Sequence, residues 1–200
     1  MGNRAAVLGK NNSDGIAERK TLTSAEKKML MAEWPRLIKR NPDMFRTVWI
    51  RAFERSTAIK VIFGIKGDEK VENDPIFVRL TLAVEAFFHR LLVTEKLNDD
   101  TMILLCKQLG ARHALFQSRG FQAMFWDIFM VCMNDMIDET LSNYMTGSQR
   151  VLMLYVWQRF VHLVVDHMRI GYMTRRRSTF APVNNTNKSL LTIGTEHMSL

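Results

Sequence analysis

The stretch Leu-Gly-Ala-Arg-His-Ala-Leu-Phe, residues 109–116, carries a single imidazole, His113, at an otherwise apolar and basic helix end. Positions four apart are stacked neighbours on a helix, so His113 shares a face with Leu109 and points inward. An inward histidine is by default a hydrogen-bonded core residue; the sharper alternative is a metal ligand, a role imidazole fills more often than any other side chain. The other candidates for chemistry are weaker. His162 and His167 are five apart, which at about 100° per residue separates them too widely for a shared metal. Asp99 with Asp100, and Asp138 with Glu139, are sequence neighbours that diverge on a helix, so they read as a cap and a solvated face and not as an acid/base pair. Cys106 and Cys132 form no CxxC and no zinc-type cluster, which favours a reducing, intracellular setting. No catalytic residue emerges.

These side chains need elements to hold them, and the pattern is helical throughout. Thr-Ser-Ala-Glu, with Thr23 and Glu26 as a capping box, opens a first helix to about Arg40, with Leu30, Trp34 and Leu37 on one face and Pro35 expected to bend or interrupt it. A second helix begins at Asp43, expected as its cap, repeats Phe45, Trp49 and Phe53, and ends near Ser56. A short helical piece over 57–63 and a polar, Gly-containing loop over 64–74 follow. Asp74 and Pro75 start a strongly amphipathic helix with apolar residues at 77, 80, 84, 87, 88 and 91. Further helices are expected at about 99–116, capped by Asn98 or Asp99, at 121–143, and at 149–172, capped by Ser148. Alternating β-branched runs bounded by turn residues are absent from the sequence.

The whole chain has 200 residues, 47% of them hydrophobic and 24% charged, enough for one buried core. The net charge of +8 would suit an acidic partner, yet no basic stripe interleaves with aromatics on one helix, which argues against nucleic acid. No apolar run approaches the roughly 20 residues that span a bilayer. Residues 1–20 and 174–200 are polar and read as flexible tails around a domain at 21–173.

The order of landmarks in that domain resembles a globin, with the longer connection around residues 64–75 similar to that of nematode and other invertebrate globins. The resemblance covers about residues 22–173. Trp34 matches the tryptophan of the first helix. Trp49, fifteen residues on, occupies the second-helix position that overhangs the distal side of the haem, and Phe63, fourteen further, matches the phenylalanine packed flat on the porphyrin. Phe77 with Leu80 and Val84 resembles the distal helix, Leu-Gly-Ala-Arg-His resembles the segment that presents the proximal histidine, and Trp157 falls in the last long helix. The resemblance implies an all-α globin fold of six to eight helices and a haem b contacted by Trp49, Phe63, Leu80, Val84 and Leu109, with His113 as the iron ligand.

A haem is a flat apolar disc with two charged propionates, and it needs an aromatic and aliphatic crevice plus one axial imidazole. Where many globins carry a distal histidine or glutamine, this chain has Leu80. His89, nine residues further, faces the opposite side and should not reach the iron. The distal side is then apolar, with the Trp49 N–H its evident donor; a one-residue slip in register would bring Arg79 in instead. Arg112, Arg119 or Lys66 could meet the propionates, with a solvated face as the plainer role. The resemblance implies binding of oxygen or another small gas, NO or CO, and the apolar pocket with the long tails points to gas sensing or redox signalling, with an electron donor or acceptor as partner, over bulk oxygen storage. The alternatives are a haem-free globin-like interaction domain, or a one-electron redox or NO-detoxifying globin. The fourteen methionines are expected to fill the core.

In the tails, Gly2 has the position that N-myristoylation requires, but Ala6 stands where Ser or Thr is preferred. An acylated N-terminus would add weak membrane association to an otherwise cytoplasmic protein. The run Arg175–Arg177 followed by Ser178 and Thr179 reads as a solvated tail before it reads as a membrane-facing patch or a kinase site.

Overall fold

In a computed structural model, which describes residues 21–65 and 70–180, seven α-helices pack around one core, and no strand occurs among the described residues. The first, α1 (Ser24–Arg40), starts at the expected capping box: Glu26 N donates to the Thr23 hydroxyl at 3.2 Å and Thr23 N donates to the Glu26 carboxylate at 2.7 Å. Pro35 does not interrupt it. Its ring lies on the solvent side, where the carbonyl deprived of an amide partner can be hydrated, while Trp34 and Leu37 hold the other face in the core.

Helix α2 (Met44–Arg55) follows, but Asp43 makes no capping hydrogen bond. Its backbone (φ −94°, ψ 14°) lacks the extended geometry that aims a side chain at the first turn, and its carboxylate lies 3.8 Å from Arg46 instead. After the short α3 (Thr57–Ile62), Asp74 caps α4 (Pro75–His89) by accepting from Ile76 N at 2.7 Å, with Pro75 in the first turn. A single π-helical turn over Arg90–Thr94 ends this segment.

Asn98, and not Asp99, caps α5 (Asp99–His113), accepting from Thr101 N at 3.1 Å; Asp99 pairs with Lys27. The chain then tightens into a 3₁₀ segment over Ala114–Arg119, closed by Gly120 at φ +90°. There the amide of Phe121 turns back to the Phe116 carbonyl, so α6 spans Phe125–Ser142 and begins four residues later than the sequence suggests.

The last helix, α7 (Gly147–Phe180), overruns its expected end near 172 and absorbs part of the segment read as a tail. Met168, Tyr172 and Arg176 are spaced four apart on one face, and the Arg176 guanidinium lies 5.6 Å from the Tyr172 ring centroid. Arginines in the last turns also complement the helix macrodipole. Residues 1–20 and 181–200, and with them Gly2, lie outside the described residues.

The core is continuous, and Met44, Met102, Met133 and Met136 are among its buried members, whereas Met124 and Met173 are exposed, so the expectation that methionine fills the core holds only in part. Helices α5 and α7 cross with their backbones in contact. A Cβ on Gly110 would overlap the Met168 carbonyl, and one on Gly171 would overlap that of Lys107. No helix among the described residues is long and apolar enough to cross a membrane.

Candidate functional site: an aromatic crevice with one imidazole

The crevice lies between α4 on one side and the end of α5 with the start of α6 on the other. It encloses about 340 Å³, within the range of about 300–1,000 Å³ typical of small-molecule sites. All six residues singled out from the sequence, Trp49, Phe63, Leu80, Val84, Leu109 and His113, line it. From α4 come Leu80, Ala83, Val84 and Phe87, spaced i, i+3, i+4, i+7, so one helical stripe forms that wall. Phe63 stands edge-on to Trp49, with ring centroids 5.5 Å apart and planes at 79°.

On the opposite wall His113 packs among three aromatic rings. Its ring lies 5.2 Å from that of Phe121, 5.4 Å from Trp126 and 6.1 Å from Phe116. Its Nδ1 is 2.9 Å from the Leu109 carbonyl oxygen, which can only accept, so Nδ1 carries the hydrogen and Nε2 keeps its lone pair. Burial lowers the His113 pKa below the ordinary imidazole value; the Leu109 hydrogen bond opposes that shift and the nearby Arg112 charge adds to it. The neutral ring, ready to donate electrons from Nε2, is therefore the favoured state.

Among the described residues, Arg112 is the one ionisable side chain in the lining apart from His113. Arg119 instead lies 5.6 Å from the Phe116 ring, and Lys66 lies outside the described residues. Arg79 is exposed and not part of the lining, so the alternative register is not adopted. His89 also stands away from the crevice, accepting at Nδ1 from the Trp34 indole at 3.3 Å. His162 is exposed, and His167 is half-buried with both ring nitrogens unpartnered.

Sequence reasoning missed Phe121, Phe125, Trp126 and Phe129, which complete the His113 wall and the floor. Their signal was present: Phe121, Phe125 and Phe129 recur every four residues, but a helix assumed to begin at 121 hid the turn that folds Phe121 over the imidazole.

Residues 46–168, more than half of the chain, match the family model described as Globin. The chain belongs to the globin family. It is 24% identical over 183 residues to globin-related protein glb-13 of Caenorhabditis elegans, a match covering 86% of this chain and 59% of the relative, so the chain spans well under two thirds of that relative's length. Its fold is similar to the solved structure of a hexacoordinated haem protein from an anhydrobiotic tardigrade at pH 4. That match has a TM-score of 0.64 at 18% identity and covers 78% of this chain and 97% of that one.

Globin membership implies a haem cofactor, and the crevice fits one. It offers apolar walls for a flat macrocycle, one neutral imidazole for iron, and one guanidinium for a carboxylate. The indole nitrogens of two lining residues, Trp49 and Trp126, are buried without a hydrogen-bond partner. Such groups cost about 1–3 kcal/mol each.

Proposed function

We propose that this globin binds haem b through His113 and takes small gas ligands, oxygen, NO or CO, on the side walled by Leu80 and Val84. The observation that carries the reading is the Nδ1–H of His113 donating to Leu109 inside an aromatic box, because that bond fixes the tautomer and orients the ring as a ligand.

The ligand side decides what such a protein does well. Leu80 and Val84 carry no donor; the Trp49 N–H, unpartnered in the lining, comes from α2 and not from that wall. Bound dioxygen develops negative charge that such a wall cannot stabilise, whereas NO and CO stay nearly neutral. This favours gas sensing or redox signalling over bulk oxygen storage; an electron donor or acceptor as partner and a cytoplasmic site of action complete the proposal.

Absorption spectra of the purified protein in the ferric state, after dithionite, and then with CO test the assignment. The expected ferrous spectrum is five-coordinate and shifts with CO. Split, sharp ferrous bands would mean a second protein ligand, and absence of haem would favour an interaction domain.

A further inference from the structure

Five aromatic residues close a ring through the core behind the crevice. Trp34 lies 6.2 Å from Phe45, Phe45 lies 5.6 Å from Phe88, Phe88 lies 5.7 Å from Phe160, Phe160 lies 5.8 Å from Trp157, and Trp157 returns to Trp34 at 6.2 Å, all between ring centroids. Phe88 also lines the crevice, so two aromatic routes join the crevice wall to Trp34.

Trp34 differs from the other three tryptophans of the chain. Trp49, Trp126 and Trp157 bury their indole nitrogens with no hydrogen-bond partner. Trp34, itself only 3% exposed, donates Nε1–H to His89 Nδ1 at 3.3 Å, and His89 is exposed to solvent. An indole that loses an electron becomes a strong N–H acid, so the indole most readily oxidised is the one with a base in hydrogen-bond contact. Imidazole is the side chain best matched to accept that proton near neutral pH.

We propose that Trp34 and His89 form a proton-coupled electron-donor pair that exchanges single electrons between the protein surface and the crevice. One electron leaves the Trp34 indole for an oxidant, which is reduced by one electron. The Nε1–H bond breaks, a new N–H bond forms at His89 Nδ1, and the products are a neutral indolyl radical and an imidazolium. An external one-electron reductant reverses both transfers. The oxidant inside the protein is a haem iron oxidised by a peroxide, and that part rests on the haem-binding reading. The chemistry of the pair itself does not.

Flash photolysis separates the two. The full-length protein is mixed with a ruthenium(II) polypyridyl complex and a sacrificial acceptor, and the ruthenium(III) formed by the flash oxidises the protein while transient absorption and freeze-quench electron paramagnetic resonance follow the product. Wild type yields the neutral indolyl radical, and Trp34→Phe loses most of that signal. His89→Gln keeps a hydrogen-bond acceptor but not a base, so deprotonation slows several-fold and the cation radical persists. The substituted position is exposed, so this variant folds and decides the matter even if Trp34→Phe does not. Equal deprotonation rates in wild type and His89→Gln, or an unchanged radical in Trp34→Phe, overturn the pair. In a second arm, hydrogen peroxide added to the haem-loaded protein yields the same Trp34 radical. A positive flash result with no haem uptake supports the pair and removes the haem reading, while haem uptake without a peroxide-driven Trp34 radical overturns the link to the crevice.

Discussion

The two walls of the crevice are built on different principles. The His113 wall is set by backbone: α5 rests directly on α7 where Gly110 meets Met168 and Gly171 meets Lys107, and Met168 itself lines the crevice. The Leu80 wall is set by side chains, a single apolar stripe of α4 running into a π turn at Arg90–Thr94. Glycine-to-backbone contact admits no repacking, whereas a stripe of aliphatic side chains tolerates exchange of shape and polarity. The position of His113 is thus fixed more tightly than the side chains that face it from α4, and those can change without loss of the fold.

The largest expected effect comes from breaking the crossing. Alanine ordinarily stabilises a helix relative to glycine by about 1 kcal/mol. Gly110→Ala or Gly171→Ala should reverse that sign and cost about 3 kcal/mol in urea unfolding, since the added methyl meets backbone and not a movable side chain. Loss of stability at either position should be accompanied by weaker haem retention, because the shifted helix carries His113.

On the other wall, Leu80→Gln should leave the unfolding midpoint nearly unchanged. It should slow autoxidation of the oxygen complex about tenfold, the equivalent of one charge-assisted hydrogen bond of about 1.5 kcal/mol. Autoxidation of the wild type no faster than that of a globin with a distal histidine would mean that the Leu80 wall hides a donor.

A clamp joins α2 to α6: Arg51, two residues from Trp49, makes a bidentate pair with Glu139 at 2.7 and 2.8 Å, with Arg55 to Asp135 one turn on at 2.9 Å. Both pairs are solvent-exposed, so a double-mutant cycle on Arg51 and Glu139 should return a coupling below about 1 kcal/mol that shrinks with salt.

The smallest effect belongs to His167, on the helix that supports the His113 wall. Burial lowers its pKa, the Lys107 charge adds to that, and Asp166 opposes it. The folded-state value lies below the ordinary one, so the unfolded chain binds the proton first. The contribution to stability is present above the ordinary imidazole range and is lost as pH falls through it. His167→Leu should flatten the acid side of the stability profile by about 0.5 kcal/mol, measured as unfolding midpoints at several pH values.

The elements that were legible in the sequence are those whose signals are local. The Thr23–Glu26 box, the Asp74–Pro75 start and the stripe at 77, 80, 84, 87 and 88 each depend on residues within one or two turns, and each helix stands where those residues place it. What the sequence concealed depends on contacts across the fold. Nothing local distinguishes Gly110 or Gly171 from a helix-weakening glycine, because the reason for each lies on the other helix. Arg175–Arg177 look like a basic tail until Tyr172 is seen beneath Arg176. Phe121 and Trp126 reach His113 only through the turn at Gly120. The imidazole stands out in the sequence, and so does the four-residue recurrence of Phe121, Phe125 and Phe129, but the turn that folds Phe121 over His113 does not.

The most direct test of the central claim is haem titration of the wild type and of His113→Gly, followed by absorption spectroscopy, with free imidazole added to the variant. If His113 holds the iron, the wild type takes up one haem with an imidazole-ligated ferrous spectrum, His113→Gly loses that spectrum, and added imidazole restores it in the vacated crevice. An unchanged spectrum in His113→Gly, with no response to imidazole, would contradict the account and place the iron on another residue.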